Sequence, residues 1–365
     1  MAERDIIIIG AGVAGLSAGY FLSENASVTV LERESQPAYH ASGRSAALYI
    51  EGYENETVAT LTKAGHGFFS GPPPEFCSQS LLHARGGLTA ASAADAHEVQ
   101  AFVDRWGRLC PNLRVLDVEE ALALIPLFDP DWLAAACYDP DWLGIDVHEL
   151  LQTFQRGLRA RGGVVRTNAE VVALRRSAEG WAVELTDGET LIADVLVNAA
   201  GAWAQQVGTL AGLDGITLQP MKRTAVLIPL PDGADTWPLV HTADWQLYFK
   251  PEGNGLMLSP ADEVASPPMD AYPDDFDVAV TVDRYQSVIT DEVTRVMHSW
   301  AGLRTFSPDR RPVVGFDPRA SGFYWLGGQG GFGVQTSPGL GAMVAENICG
   351  SGSLREDIDV GRYLS

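Results

Sequence analysis

Asp5-Ile6-Ile7-Ile8-Ile9-Gly10-Ala11-Gly12-Val13-Ala14-Gly15, followed by Ser27-Val28-Thr29-Val30-Leu31-Glu32, decides how the rest of the chain is read. The four isoleucines form a β-branched run without alternation, the pattern of a parallel strand covered on both faces. Gly10 opens a glycine-rich turn, and Val13 to Ser23 then carries helical spacing. The second run is another strand, so the spacing predicts a βαβ unit of about thirty residues. The glycines match G-x-G-x-x-G, a weak pattern that its context makes specific. A strand precedes it, a helix follows, and Glu32 stands 22 residues beyond Gly10. Gly10 permits the tight turn, Gly12 lets backbone approach a pyrophosphate at the positive end of the helix, and Gly15 lets helix and strand pack closely. Glu32 is placed to accept hydrogen bonds from ribose hydroxyls, and its charge repels a 2′-phosphate. The expected ligand is an ADP-containing dinucleotide, not NADP.

Outward from this unit, 365 residues are too many for one ordinary core and suit two domains sharing an interface. A hydrophobic fraction of 46% with 38 Gly and 21 Pro reads as a loop-rich globular protein. The 47 acids against 25 bases give a net charge of -22, which repels nucleic acid and anionic membrane surfaces. The acids thicken between Asp262 and Glu292, with Asp270, Asp274, Asp275 and Asp277, and read as a solvated face. Cys77, Cys110, Cys137 and Cys349 lie far apart with no CxxC pair, as expected of reduced thiols and no metal site. Acidic Glu3 and Asp5 stand where a signal peptide needs bases, and no stretch reaches the length of a membrane span, so a cytoplasmic protein without stable membrane insertion is expected.

Along the chain, the Ser-, Gly- and Ala-rich segment Tyr39 to Tyr53 reads as a functional loop. Helices are expected over Glu56 to Phe69, Ser92 to Trp106 (with Ser92 and Asp95 as its cap), Val118 to Ala123, and Asp146 to Arg161. Strands follow at Val164 to Arg166, Val171 to Arg175, Trp181 to Thr186, Thr190 to Ile192 and Asp194 to Asn198. From Met221 to Leu303 apolar and polar residues alternate, with strands such as Ala225 to Ile228 and Tyr248 to Lys250, as in an antiparallel sheet with one face on a core. The last quarter returns to the first texture: strand Phe323 to Leu326, a glycine turn, and helix Ser337 to Ile348. The fold class is therefore α/β (α+β overall), a Rossmann-like dinucleotide domain with an inserted antiparallel-sheet substrate domain. The division is 1–50, 140–220 and 305–365 for the first, 51–139 and 221–304 for the second.

Two further glycine sites favour FAD over NAD. Asn198-Ala199-Ala200-Gly201 follows a late strand and can bring backbone near the pyrophosphate. Gly327-Gly328-Gln329-Gly330-Gly331-Phe332-Gly333 precedes a helix whose first N–H groups can face the flavin edge where charge develops on reduction.

These segments, with Leu31-Glu32-Arg33-Glu34 and Val197 to Trp203, resemble the glycine oxidase, sarcosine oxidase and D-amino-acid oxidase family of flavoproteins over nearly the whole chain. Within that family the chain is most similar to bacterial D-arginine dehydrogenases, through Tyr39 to Ala47, Leu218-Gln219-Pro220, Trp300 to Arg304 and Gln329 to Gly333. The resemblance implies oxidation of a Cα–N bond by hydride transfer to non-covalent FAD. It implies an amino acid substrate, a D-amino acid in particular, and leaves the electron acceptor open. The cofactor-lining set it implies is Gly10, Gly12, Ala14, Gly15, Glu32, Arg33, Gly43, Arg44, Ser45, Ala46, Ala47, Val171, Ala200, Gly201, Trp203, Gly328, Gly330, Gly331, Phe332, Gly333 and Val334.

On the substrate side the resemblance makes Arg304 the guanidinium fork on the carboxylate, with Tyr53 and Tyr248 adding phenolic hydrogen bonds and the Gly331 carbonyl facing the amine. A second basic position falls on Lys222, with Arg223 beside it. Where the arginine-specific relative carries a glutamate for the substrate guanidinium, this chain reads Arg85-Gly86-Gly87, so a cationic side chain loses its partner. Leu239 and His241 fall on the side-chain wall, which implies a neutral side chain, or an acidic one met by His241. Glycine or a secondary amine such as sarcosine, and a 2-hydroxy acid with His241 as base, are the alternatives.

Overall fold

The computed structural model describes residues 4–364. Its first sheet has six strands in the order Val313–Phe316, Phe323–Gly327, Val195–Asn198, Arg4–Ile9, Ala26–Leu31, Val164–Arg166. All neighbours pair in parallel except the edge strand 313–316. The isoleucine run explains itself here. Ile6 and Ile8 enter one core and Ile7 and Ile9 another, because successive side chains leave a strand on opposite faces. The first core is covered by the helices Val13–Leu22, Val147–Ala160 and Gly333–Cys349, the second by the helix Ala204–Leu210 and a three-stranded sheet of Val171–Arg176, Trp181–Leu185 and Thr190–Ala193. A Rossmann-like fold is what results.

The second sheet has nine strands, and eight of them run in the order Val264–Ala265, Gln219–Pro229, Gly255–Ser259, Tyr248–Glu252, Leu239–Thr242, Gly87–Ala91, Ala135–Asp139, Arg114–Leu116. The ninth, His298–Phe306, pairs with 219–229. Pairing is antiparallel apart from 239–242 on 87–91. Period two sorts its two faces. Leu88, Ala90, Val226, Val240, Phe249 and Leu258 enter a core under the helix Asp275–Gln286, whose Tyr285 is fully buried. Thr89, Arg223, His241 and Tyr248 emerge on the other face and line cavities.

Several expectations change. The helix Glu56–Ser70, assigned by sequence to the substrate domain, packs into the first core: Gly65 and Gly339 let its backbone touch that of the 333–349 helix, a Cβ at either falling about 3 Å from the other's amide. That C-terminal helix starts at Gly333, not Ser337, and contains Pro338. Proline leaves the Val334 carbonyl without its amide partner, and the Ser337 hydroxyl donates to it at 2.8 Å. The third helix begins at Ala96, because Ser92 spends its hydroxyl on the Asp95 carboxylate at 2.9 Å and closes a turn ahead of the helix. The strand expected at 225–228 extends over 219–229. The acids after Asp262 are not one solvated face. Asp262 accepts from the Thr224 amide at 2.7 Å and hydroxyl at 3.0 Å, Asp270 pairs with Arg44 at 2.6 Å, and Asp274 and Asp277 hold Lys222. No described helix is long and apolar enough to cross a membrane.

Candidate active site

One elongated cavity of about 270 Å³ runs from Glu32, Arg33 and Val171 at one end to Gly328–Gly331 and Arg304 at the other. The first βαβ unit builds its wall. Gly10 takes φ +105°, and a Cβ there would lie 2.5 Å from the Ala199 carbonyl oxygen. A Cβ on Gly15 would sit 1.9 Å from the Gly10 carbonyl oxygen, so the helix lies directly on the turn. Glu32 is 8% exposed, and its carboxylate accepts from the Ala11 amide at 2.9 Å and the Glu34 amide at 3.0 Å. Those bonds fix it facing the cavity as an acceptor. Ser42 accepts from the Val13 amide at 2.9 Å, tying the 39–53 loop to the helix start. Gly201 at φ +54° turns its missing side chain toward open space. The helix at Gly333 starts without a side-chain cap or an acid in its first turn, so its amides are left for a partner across the cavity. An acceptor carboxylate, free amides and glycine walls fit an ADP-containing flavin.

A second cavity of about 600 Å³ meets the first at Ser45, Ala46, Arg223, Tyr248, Arg304, Gly331 and Val334, which line both. Register explains the junction. Arg304 stands opposite Met221, and Arg223 opposite Gly302, so both guanidiniums leave the same face of their strand pair. Arg304 lies 3.5 Å from the Tyr248 hydroxyl and has no carboxylate within 4 Å among the described residues. Burial works against its charge, but Tyr248 and Tyr53 outweigh that and hold its pKa above the ordinary guanidinium value. Burial would raise Tyr248, yet Arg304 and then Arg223 hold its phenol below the usual value. Burial raises Tyr53. Arg223 is held by the Asp262 carbonyl at 2.6 Å and by Glu263 at 3.1 Å. A half-buried guanidinium with no protein carboxylate beside it is open to an anionic ligand.

The family model described as FAD dependent oxidoreductase (DAO) matches residues 5–347. The chain belongs to this family. FAD is the cofactor of such enzymes, and the protein is an FAD-dependent oxidoreductase. A glycine oxidase from Geobacillus kaustophilus is 24% identical over 374 residues, covering 94% of this chain and 92% of that protein. Its crystal structure superposes with a TM-score of 0.86 at 22% identity, over all of both chains. A human mitochondrial sarcosine dehydrogenase is 25% identical over 95% of this chain, which spans only 40% of that longer protein.

The geometry brings most of the expected flavin-side residues together. Gly10, Gly12, Ala14, Glu32, Arg33, Arg44, Ser45, Ala46, Val171, Ala200, Gly201, Trp203, Gly328, Gly330, Gly331, Gly333 and Val334 line the first cavity. Arg33 lies over the Trp203 ring at 5.0 Å, while Arg44 is engaged by Asp270 and by the Ala271 and Ala301 carbonyls. Four expected lining residues do not line it. Gly15 serves packing, and Gly43 turns the loop beneath the Ala38 carbonyl, 2.4 Å from where its Cβ would stand. Phe332 is buried against Val58 and Phe306. Ala47, at φ +52°, lines only the second cavity.

Tyr53, Tyr248, Arg304, Gly331 and His241 all reach the second cavity. Lys222 does not: one residue from Arg223, it leaves the opposite face of the strand and pairs with Asp274 and with Asp277 at 2.8 Å. Arg223 takes the place expected of Lys222. His241 is 2% exposed and burial pushes its pKa down to about 4, so it is neutral near pH 7. Nδ1 meets the Thr242 carbonyl at 3.1 Å, which makes Nε2 the acceptor for the Thr89 hydroxyl at 2.8 Å. It offers an acidic side chain no positive charge and has no nitrogen free to act as base. Leu239 lines the wall as expected. The sequence reading missed Trp142, Trp245 and Phe102, which also line it; the only trace of Trp142 was Gly87, where a Cβ would fall 2.0 Å from the indole. None of the four cysteines lines either cavity.

Proposed function

We propose that the protein oxidises the Cα–N bond of an amino acid with an uncharged side chain, through non-covalently held FAD. The single observation that supports this best is Arg304, a half-buried guanidinium with no protein carboxylate within 4 Å among the described residues, standing where the two cavities meet. Arg304 grips the substrate carboxylate as a fork, and Arg223 adds positive charge to the same end. Tyr248, its phenol made more acidic by the two arginines, donates to a carboxylate oxygen. Together they fix the neighbouring Cα–H bond at the mouth of the flavin cavity, and this pre-orientation is the main catalytic contribution. The bound FAD supplies the two-electron acceptor for the departing hydride.

The amine must enter unprotonated, because its lone pair becomes the second C=N bond as the hydride leaves. Gly331 lies beside Arg304, a Cβ there falling 2.9 Å from the guanidinium, and its carbonyl would accept from that amine. The imine then adds water and releases a 2-oxo acid and ammonia. The neutral side chain follows from a wall whose histidine is uncharged. The D configuration rests on the likeness to D-arginine dehydrogenases, and a cytoplasmic location on the sequence alone. A 2-hydroxy acid is disfavoured because His241 has both nitrogens engaged. A secondary amine such as sarcosine, suggested by the names of relatives, fits the same carboxylate clamp. Anaerobic mixing of holoenzyme with D- and L-amino acids, sarcosine and 2-hydroxy acids tests the reading. Bleaching of the yellow band by neutral D-amino acids is expected; bleaching only by 2-hydroxy acids, or by nothing in the set, contradicts it.

A further inference from the structure

Beyond Arg304 the second cavity ends on a wall of aromatic rings. His241 and Trp245 stack with centroids 4.2 Å apart and planes 18° apart. Trp142 lies parallel to His241, 2° off at 5.7 Å, and Phe102 packs at 5.7 Å with a 59° tilt. Three features hold this wall in place. The hairpin register sets His241 opposite Tyr248, so the wall starts from the strand that presents the clamp. Thr89 and the Thr242 carbonyl fix the imidazole edge. Gly87 leaves the space that the Trp142 indole fills, so no side chain at position 87 can enter the cavity beside it. Trp245 itself sits at φ +56°, a conformation that a bulky residue adopts only when its surroundings impose it.

Most of the charges round the cavity already have partners. Glu54 and Glu263 both pair with Arg310, Glu263 also with Arg223, and Asp244 takes the Thr242 hydroxyl at 2.5 Å and the Gln246 amide at 3.0 Å. Glu98 and Arg105 stand at the rim, where Glu98 is 52% exposed beside His97 and Arg105 lies over Trp106 at 4.7 Å. A cavity of about 600 Å³ is far larger than glycine or sarcosine requires. From the carboxylate clamp, an uncharged ring wall lining the same cavity and the room the cavity offers, we infer that the substrate side chain is a flat aromatic ring that stacks on Trp245, the exposed member of that wall. This deepens the amino acid reading above and rests on its carboxylate clamp.

The test uses holoenzyme and carboxylates without an amine, so nothing is oxidised and binding is read from the shift of the flavin visible band. 3-Phenylpropanoate, 3-cyclohexylpropanoate and 4-guanidinobutanoate share the clamp end and differ only in the group that meets the wall. Phenylpropanoate should bind about fivefold tighter than the cyclohexyl compound of similar size, the worth of one ring stack. In Trp245→Ala that ratio should fall to about one. Trp245 is 48% exposed in a turn, so the variant should fold; if it loses flavin, Phe102→Ala carries the same comparison. Equal binding of the two rings, an unchanged ratio in the variant, or tightest binding of the guanidino compound overturns the aromatic assignment and leaves the clamp standing. If none of the three shifts the flavin band, the clamp itself is wrong.

Discussion

The two cavities that meet at Arg304 are made of different material. The flavin cavity is walled largely by backbone and small residues: glycine turns, helix starts and one acceptor, Glu32, held by two amides. The second cavity is walled by side chains standing on one face of a sheet, and its chemistry depends on which neighbour each touches. A backbone wall tolerates few added atoms where turns touch, as at Gly10 and Gly15, whereas side-chain walls tolerate exchange and change their preference. On the function proposed, one region fixes the cofactor and the other sets the substrate.

The largest effect expected falls where the two regions join. Arg304→Ala should keep its FAD but lose about 10³-fold in kcat/KM, the worth of a bidentate charged pair plus the charge it leaves unopposed. Steady-state kinetics on flavin-loaded protein measures it, and a loss below tenfold would take Arg304 out of the clamp. In the flavin wall, Gly15→Ala should be folded poorly and colourless, because the added carbon falls 1.9 Å from the Gly10 carbonyl oxygen. Flavin content per protein decides that case. Retention of full FAD would show that the helix can draw back from the turn.

Neighbouring residues on one strand sharpen the contrast further. Arg223→Ala should cost about 10²-fold in kcat/KM, while Lys222→Ala, on the other face, should change it less than about threefold. Equal kinetic losses would mean that the strand register is off by one residue. A further effect is pH-dependent. His241 is buried neutral with a folded pKa of about 4, below its unfolded value, so the unfolded chain binds the extra proton. Stability from this group is therefore complete above about pH 6.5 and drains away as pH falls toward 4. Between pH 7 and pH 5 the wild type should lose about 2 kcal/mol more than His241→Asn in denaturant titrations.

Legibility in the sequence follows the same division. The βαβ unit, its glycines and Glu32 were readable because backbone demands leave residue-type signatures: only glycine suits the φ of Gly10 or the contact at Gly15. The same local logic misplaced the start of the C-terminal helix, because the Ser337 hydroxyl rescues a carbonyl that Pro338 leaves bare and lets the helix begin at Gly333. It misassigned the 56–70 helix, whose partner Gly339 lies far along the chain. On the substrate side, Arg304 and the tyrosines came from likeness to relatives and converge in space. Lys222 and Arg223 were interchangeable on paper, since alternation on a strand is readable only once its inner face is known. Trp245 had no sequence signal and Trp142 only the glycine at position 87, because their role comes from tertiary stacking on His241.

The account stands most directly on where a bound carboxylate goes. A crystal structure of the holoenzyme with 3-phenylpropanoate should show both carboxylate oxygens within about 3 Å of the Arg304 guanidinium, at the flavin face, with the phenyl ring in the second cavity. A carboxylate bound elsewhere, with Arg304 turned away from the flavin, would contradict it.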